Sequence, residues 1–234
     1  MKILFVFAHP DDESFSSGGT ISKLAKAGVD VRLITATRGE KGQVGNPPLC
    51  KQEDLGKFRE KELRCAAKIL GVSQIYFLDY IDATLHSISK KEISDKILSI
   101  LKVEKPDAVV TFNKEGGSRH PDHIQVGKSA TLAFEKYMEN AKKHVRLYHG
   151  AMPRSFVKKI FAQGTAYTVY GKIRGTPDFQ ITTKVDISDT IEDKIKALKC
   201  HQTQKKDWER FLKRKDYKEF KMEFFRLVME NEIG

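Results

Sequence analysis

Two short runs carry the side chains that could do chemistry. His9-Pro10-Asp11-Asp12-Glu13 puts one imidazole and three carboxylates into five residues, and His120-Pro121-Asp122-His123 follows with two imidazoles and a carboxylate. Crowded carboxylates repel one another, and the repulsion falls when a cation sits among them. Histidine with carboxylate is a common ligand set for zinc or iron. Three protein ligands with a water in the remaining position is the pattern of a catalytic rather than a structural zinc. His9 and Asp12, joined by one histidine of the second run, would supply that set. Asp11 and Glu13 are then left over. One carboxylate beside the metal-bound water could take its proton, because the metal lowers that water's pKa toward ~7. The remaining histidine could stabilise an oxyanion and protonate a leaving group. Such a kit suits hydrolysis of an amide or an ester.

Each run follows an apolar stretch of β-favouring residues, Ile3-Leu4-Phe5-Val6-Phe7 before the first and Ala108-Val109-Val110-Thr111-Phe112 before the second. Both read as strands buried on two faces. Around them the pattern alternates. Helices are expected over residues 14–27, 53–70, 89–103, 124–140 and 188–204, and further strands over 29–37, 75–78, 145–152 and 179–187. Residues 38–52, rich in glycine and proline, form a long loop of the kind that is usually functional or mobile. This succession predicts an α/β fold: a Rossmann-like, mostly parallel sheet with helices on both faces, binding ligands at the carboxyl ends of its strands. Residues 156–178 are irregular and have no assigned element. Residues 207–233 put Trp208, Phe211, Leu212, Phe224, Phe225 and Val228 near one helical stripe, which reads as core packing or a dimer contact.

The chain of 234 residues, 40% hydrophobic, suits a single domain over 1–234, with C-terminal helices 188–234 packed on it or extending it. Its opening apolar run is far shorter than the ~20 residues of a membrane span. No basic segment with a cleavage site precedes that run, so a cytoplasmic protein is expected. Cys50, Cys65 and Cys200 form no C-x-x-C pair and predict neither a disulfide framework nor a thiolate zinc site. Cys65 falls in an apolar helical pattern and reads as core. A formal charge of +11 invites a nucleic-acid reading. The excess is spread, however, with no basic arm and no recognition motif, and a basic soluble enzyme accounts for it. Neither G-x-G-x-x-G after the first strand nor a phosphate-binding P-loop occurs.

Together these residues resemble the PIG-L/LmbE-like family of zinc-dependent N-acetylglucosaminyl deacetylases. The two runs look like its paired signatures. Thr37-Arg38-Gly39-Glu40-Lys41-Gly42 is similar to its loop after the second strand. Arg59-Glu60-Lys61-Glu62 with Ala66-Ala67-Lys68-Ile69-Leu70-Gly71, and Lys196-Ala197-Leu198 with His201-Gln202-Thr203-Gln204, are similar to two of its helices. The resemblance implies that His9, Asp12 and His123 bind Zn2+, with Fe2+ an alternative. Asp11 would be the general base, and His120 the oxyanion stabiliser and general acid. Arg59 and Asp82 would hold the substrate, although Arg59 could instead pair with Glu62. Where the family usually has D-G, this chain has Asp82-Ala83. The implied partner is a small sugar conjugate carrying an N-acetyl group, with no specific nucleic acid; a homo-oligomer is open. Two rivals remain at this level: a non-haem iron oxygenase with a 2-His-1-carboxylate site, and a basic nucleic-acid-binding module.

Overall fold

The computed structural model describes residues 1–161, 167–213 and 220–232. In chain order its elements are β1 (Lys2–Phe7), α1 (Asp12–Lys26), β2 (Asp30–Thr37), α2 (Leu55–Leu70), β3 (Gln74–Tyr80), α3 (Lys90–Glu104), β4 (Ala108–Thr111), the short turn α4 (Gly116–Arg119), α5 (Pro121–Met138), β5 (Arg146–Ala151), α6 (Arg154–Phe161), β6 (Tyr167–Thr168), β7 (Gly171–Lys172), β8 (Thr183–Asp186), α7 (Ile191–Cys200), α8 (Lys205–Leu212) and β9 (Met222–Glu230). The main sheet runs β3-β2-β1-β4-β5-β9-β8. Its first five strands are parallel, and β9 lies antiparallel between β5 and β8. The helices α3 and α5 pack together over one face, and α1, α2 and α7 over the other. Buried between these layers, β1 needs no polar alternation, and residues 3–8 are all buried.

The chain leaves β1 in one direction to form β2 and returns on the other side as β4. Between those two neighbours the connections diverge, which opens a crevice at the carboxyl ends of β1 and β4. Both acid–histidine runs start there.

The tail departs from expectation. Among its described residues only α8 is helical; residues 222–230 form β9. Phe224, Phe225 and Val228 fit a helical stripe and a pleated strand equally well, and pairing with two neighbouring strands decides for the strand. Glu223 points inward from β9 and is buried. It accepts from Lys194 Nζ at 2.6 Å and from the amides of Gly19 and Thr20 at 3.1 and 2.7 Å, so its charge is matched. Of the expected strand 179–187 only Thr183–Asp186 is extended, after a 3-10 turn at Asp178–Gln180. The expected helix 188–204 ends at Cys200 and passes into a 3-10 turn. Residues 156–178 hold most of α6 and a β6–β7 hairpin. Trp208 is buried, its indole N–H donating to the His201 carbonyl at 3.1 Å.

The cysteines overturn a second expectation. Cys65 is exposed rather than core, and it is bonded to Cys200 with the Cα atoms 5.9 Å apart. Sequence spacing gives no sign of this, because the pair is 135 residues apart and meets only where α2 packs on α7. A cross-link closing so long a loop restricts the unfolded chain strongly. Reducing it, or replacing Cys200 by Ser, is expected to lower the unfolding free energy by about 2–5 kcal/mol. Urea titrations with and without reductant, with free thiols counted, measure this.

Candidate active site

The loop after β1 is folded back on itself. Asp12 turns its carboxylate toward the strand, where Oδ2 accepts the amides of His9 and Ala8 at 2.8 and 3.2 Å. Asp11, at the head of α1, has φ 108°, a left-handed conformation costly for any residue with a Cβ. Its surroundings hold it there. The carbonyl accepts the amides of Ser14 and Phe15, both at 3.0 Å, and the amide donates to Glu13 Oε2 at 3.0 Å. Arg59 Nη2 donates to Asp11 Oδ2 at 3.0 Å and also to the Pro10 carbonyl, while Nη1 donates to the Gly39 carbonyl.

The loop after β4 turns sharply through Gly116, Gly117 and Arg119, all at positive φ. At Gly116 glycine is required twice over, since a Cβ would lie 2.8 Å from the Ile124 amide nitrogen. The turn delivers His120 as the cap of α5, with Nδ1 accepting the Asp122 amide at 3.1 Å and Pro121 opening the helix. One turn on, His123 stacks on Phe112 with centroids 4.3 Å apart. Its Nδ1 lies 3.1 Å from the Gly116 carbonyl and 3.2 Å from Ser118 Oγ. A carbonyl only accepts, so Nδ1 carries the hydrogen and Nε2 presents its lone pair.

The two loops converge. His9 Nδ1 lies 3.1 Å from His123 Nε2 and 3.6 Å from Asp12 Oδ2, and His123 Nε2 lies 3.2 Å from Asp12 Oδ1. On its other side His9 turns Nε2 to Asp82 Oδ1 at 2.9 Å and Asp122 Oδ2 at 3.3 Å. Two carboxylates there place a hydrogen on Nε2 and aim the Nδ1 lone pair at His123. Two ring nitrogens and a carboxylate thus stand 3.1–3.6 Å from one another, against about 3.3 Å between ligand atoms of a tetrahedral zinc. The donor set fits a divalent cation, with Asp82 and Asp122 orienting the first imidazole. His120 closes the cluster, its ring centroid 4.8 Å from His9 and 4.9 Å from His123.

Burial sets most of the acid–base properties here. It pushes Asp11 up to about 7, even though the Arg59 guanidinium pulls it down. Asp12 is buried as well, but His123 and His9 outweigh that and hold its carboxyl far below the ordinary range. Burial depresses His123 to about 4, and burial together with His9 depresses His120. His9 goes the other way: burial opposes its charge, and hydrogen bonds with Asp12, Asp122 and Asp82 overcome that opposition.

Of the residues singled out in the sequence, His9, Asp12 and His123 therefore meet at one point, with His120 beside them and Asp11 on the same turn, its carboxylate against Arg59. Asp82 is 6% exposed and faces His9. Arg59, 3% exposed, pairs with Asp11 and not with Glu62, whose carboxylate accepts the Thr203 amide and hydroxyl at 2.7 Å. Ala83 takes φ 63°, the conformation a glycine would adopt more easily. The turn survives because the Ala83 amide donates to Asp122 Oδ2 at 2.8 Å and the Asp82 amide to Glu40 Oε2 at 3.1 Å. Sequence reasoning gave Asp122 no task, although it is fully buried and joins the Asp82 turn to His9. Its place between two histidines was the available signal.

Sheet, crevice and donor set place the protein among the metal-dependent hydrolases of α/β architecture. Residues 4–134 match the family model PIG-L, GlcNAc-PI de-N-acetylase, and the chain belongs to that family. It is 32% identical over 238 residues to a 1D-myo-inositol 2-acetamido-2-deoxy-alpha-D-glucopyranoside deacetylase of Actinosynnema mirum, covering 89% of this chain and 82% of that one. The N,N'-diacetylchitobiose deacetylase of Pyrococcus horikoshii superposes with a TM-score of 0.70 at 25% identity, over 97% of this chain and 83% of the other. GalB, a 4-carboxy-2-hydroxymuconate hydratase of Pseudomonas putida, shares the fold at a TM-score of 0.66 and 18% identity, over 99% and 97% of the two chains. One sheet carries more than one reaction, so the reaction must be argued from side chains. No helix among the described residues is long and apolar enough to cross a membrane.

Proposed function

We propose that this enzyme removes the acetyl group from an N-acetylglucosamine conjugate, using zinc held by His9, Asp12 and His123. The observation that carries the reading is the approach of His9 Nδ1 and His123 Nε2 to 3.1 Å with Asp12 beside both. When bound there, zinc lowers the pKa of water and polarises a carbonyl oxygen. Asp11 stands on the turn that supplies two of the ligands, poised near neutrality, and takes the proton of the attacking water. His120 is fixed by the Asp122 amide on Nδ1, which leaves an N–H on Nε2 to donate to the oxyanion. With Nδ1 occupied by the Asp122 amide and burial opposing the charged ring, His120 stays neutral, and the departing amine takes the proton that Asp11 removed from the water.

Arg59 and Asp82, expected from the sequence to hold substrate, are proposed instead to act on the Asp11 carboxylate with its turn and on His9, because their hydrogen bonds run to those groups. The substrate class follows the relatives, whose names specify an acetamido sugar linked to inositol and a diacetylated chitobiose. A panel of N-acetylglucosamine, its inositol glycoside and diacetylchitobiose tests the proposal, with acetate as the readout. Release from at least one conjugate is expected. Failure with all of them, in protein shown to carry zinc, would overturn the reading.

A further inference from the structure

Glu13 and His201 are both 0% exposed, and neither has a part in the mechanism above. A buried carboxylate is costly unless it is paired and hydrogen-bonded. This one is fully engaged. Oε1 lies 3.0 Å from His201 Nε2 and accepts the Ser14 hydroxyl at 2.5 Å, while Oε2 accepts the Asp11 amide at 3.0 Å. A negative charge at the head of α1 would need none of this, since an exposed glutamate serves a helix N-terminus equally well. What the burial achieves is a rigid acceptor under an Asp11 amide whose backbone is held at φ 108°.

Beyond Glu13 the His201 ring meets only Ser14 Oγ, 3.5 Å from Nε2, among the described residues, and Nδ1 is buried with no hydrogen-bond partner among them. Its backbone is fixed at both ends, the amide donating to the Leu198 carbonyl and the carbonyl accepting from Trp208, both at 3.1 Å. The preceding residue, Cys200, is bonded to Cys65 on α2, the helix that also carries Arg59. Asp11 is therefore gripped twice, at its carboxylate by Arg59 and at its amide by Glu13, and both grips are anchored in one covalently tied pair of helices.

We infer that Glu13 and His201 form a positioning pair that holds Asp11 in the orientation needed for proton abstraction, a role that rests on the deacetylase reading. Small displacements of a reacting group cost rate rather than affinity, and a shift of about 1 Å can cost on the order of a hundredfold.

The test compares two polar replacements of similar size. His201→Gln places an amide N–H near the Nε2 position and keeps a donor to Glu13; His201→Asn places it near Nδ1 and removes that donor. For His201→Asn we expect kcat to fall about ten- to a hundredfold, with KM within about twofold of wild type and zinc content unchanged. His201→Gln should keep at least about half of kcat. Hydrogen exchange at the Asp11 amide should quicken about tenfold or more in His201→Asn and stay near wild type in His201→Gln, with exchange in β1 unaltered. Equal kcat and equal Asp11 exchange in the two variants would overturn the inference, as would losses that track zinc content. Were wild type to release no acetate, the functional reading would fall, and the exchange comparison would still decide whether His201 holds Asp11.

Discussion

Replacing Asp11 by Asn lowers acetate release by about 10²–10⁴-fold while metal content stays at the wild-type level. The variant is chosen so that little else moves. Asparagine tolerates the left-handed conformation at this position at least as well as aspartate does, and its carbonyl can still accept from Arg59. His9, Asp12 and His123 are untouched. What disappears is a group able to hold a proton taken from water. The pH profile carries a second signature. A carboxylate works as a base only when ionised, so wild-type activity rises with pH through the Asp11 pKa. Burial sets that value at about 7, and a cation on the neighbouring donors brings the limb lower. In Asp11→Asn that acid limb vanishes. Turnover at the wild-type rate in the variant would mean that Asp11 is not the base. Glu13 could not then inherit the role, since both its oxygens are engaged with His201, Ser14 and the Asp11 amide.

Stripping the metal is expected to cost more, taking acetate release down by a factor of about 10⁴ or more, because the water then keeps its ordinary pKa. Adding zinc to the stripped protein should restore the activity. The same addition should stabilise the fold, by about 2.7 kcal/mol at a hundredfold excess over the dissociation constant. Acetate release and thermal unfolding, followed across one zinc titration, measure both effects. Metal analysis of protein purified without oxygen separates zinc from iron, and oxygen uptake without acetate release would revive the oxygenase reading. Unchanged acetate release after stripping would remove any catalytic part for the donor set.

The candidate site was legible where chemistry and strand ends coincide. His9, Asp12 and His123 stand out because acids and histidines at the end of an apolar strand have few other reasons to be there. The direction each side chain takes was not legible. Asp122 and Asp82 both turn to His9 only because the α5 cap and the left-handed Ala83 aim them there, and neither is visible as spacing. Arg59 lies one helical turn from Glu62, yet it reaches a loop 48 residues away. Individual roles came from the family resemblance, which supplied assignments but not partners. In the fold, the parallel core followed from its apolar runs. The last strand did not, because its aromatic residues satisfy two periodicities and only the neighbouring edges choose between them. Cys65 and Cys200 carried no local signature at all.

The position of β9 bears on how the molecule is made. During synthesis, residues 222–230 leave the ribosome after every other strand of the sheet, yet they belong in its interior. Until they arrive, β5 offers an open row of backbone donors and acceptors, and Lys194 lacks the carboxylate that will neutralise it. The nascent chain thus passes through a stage in which that edge of β5 has yet to receive β9. Slow translation or early termination near that point would favour intermolecular pairing over completion of the sheet.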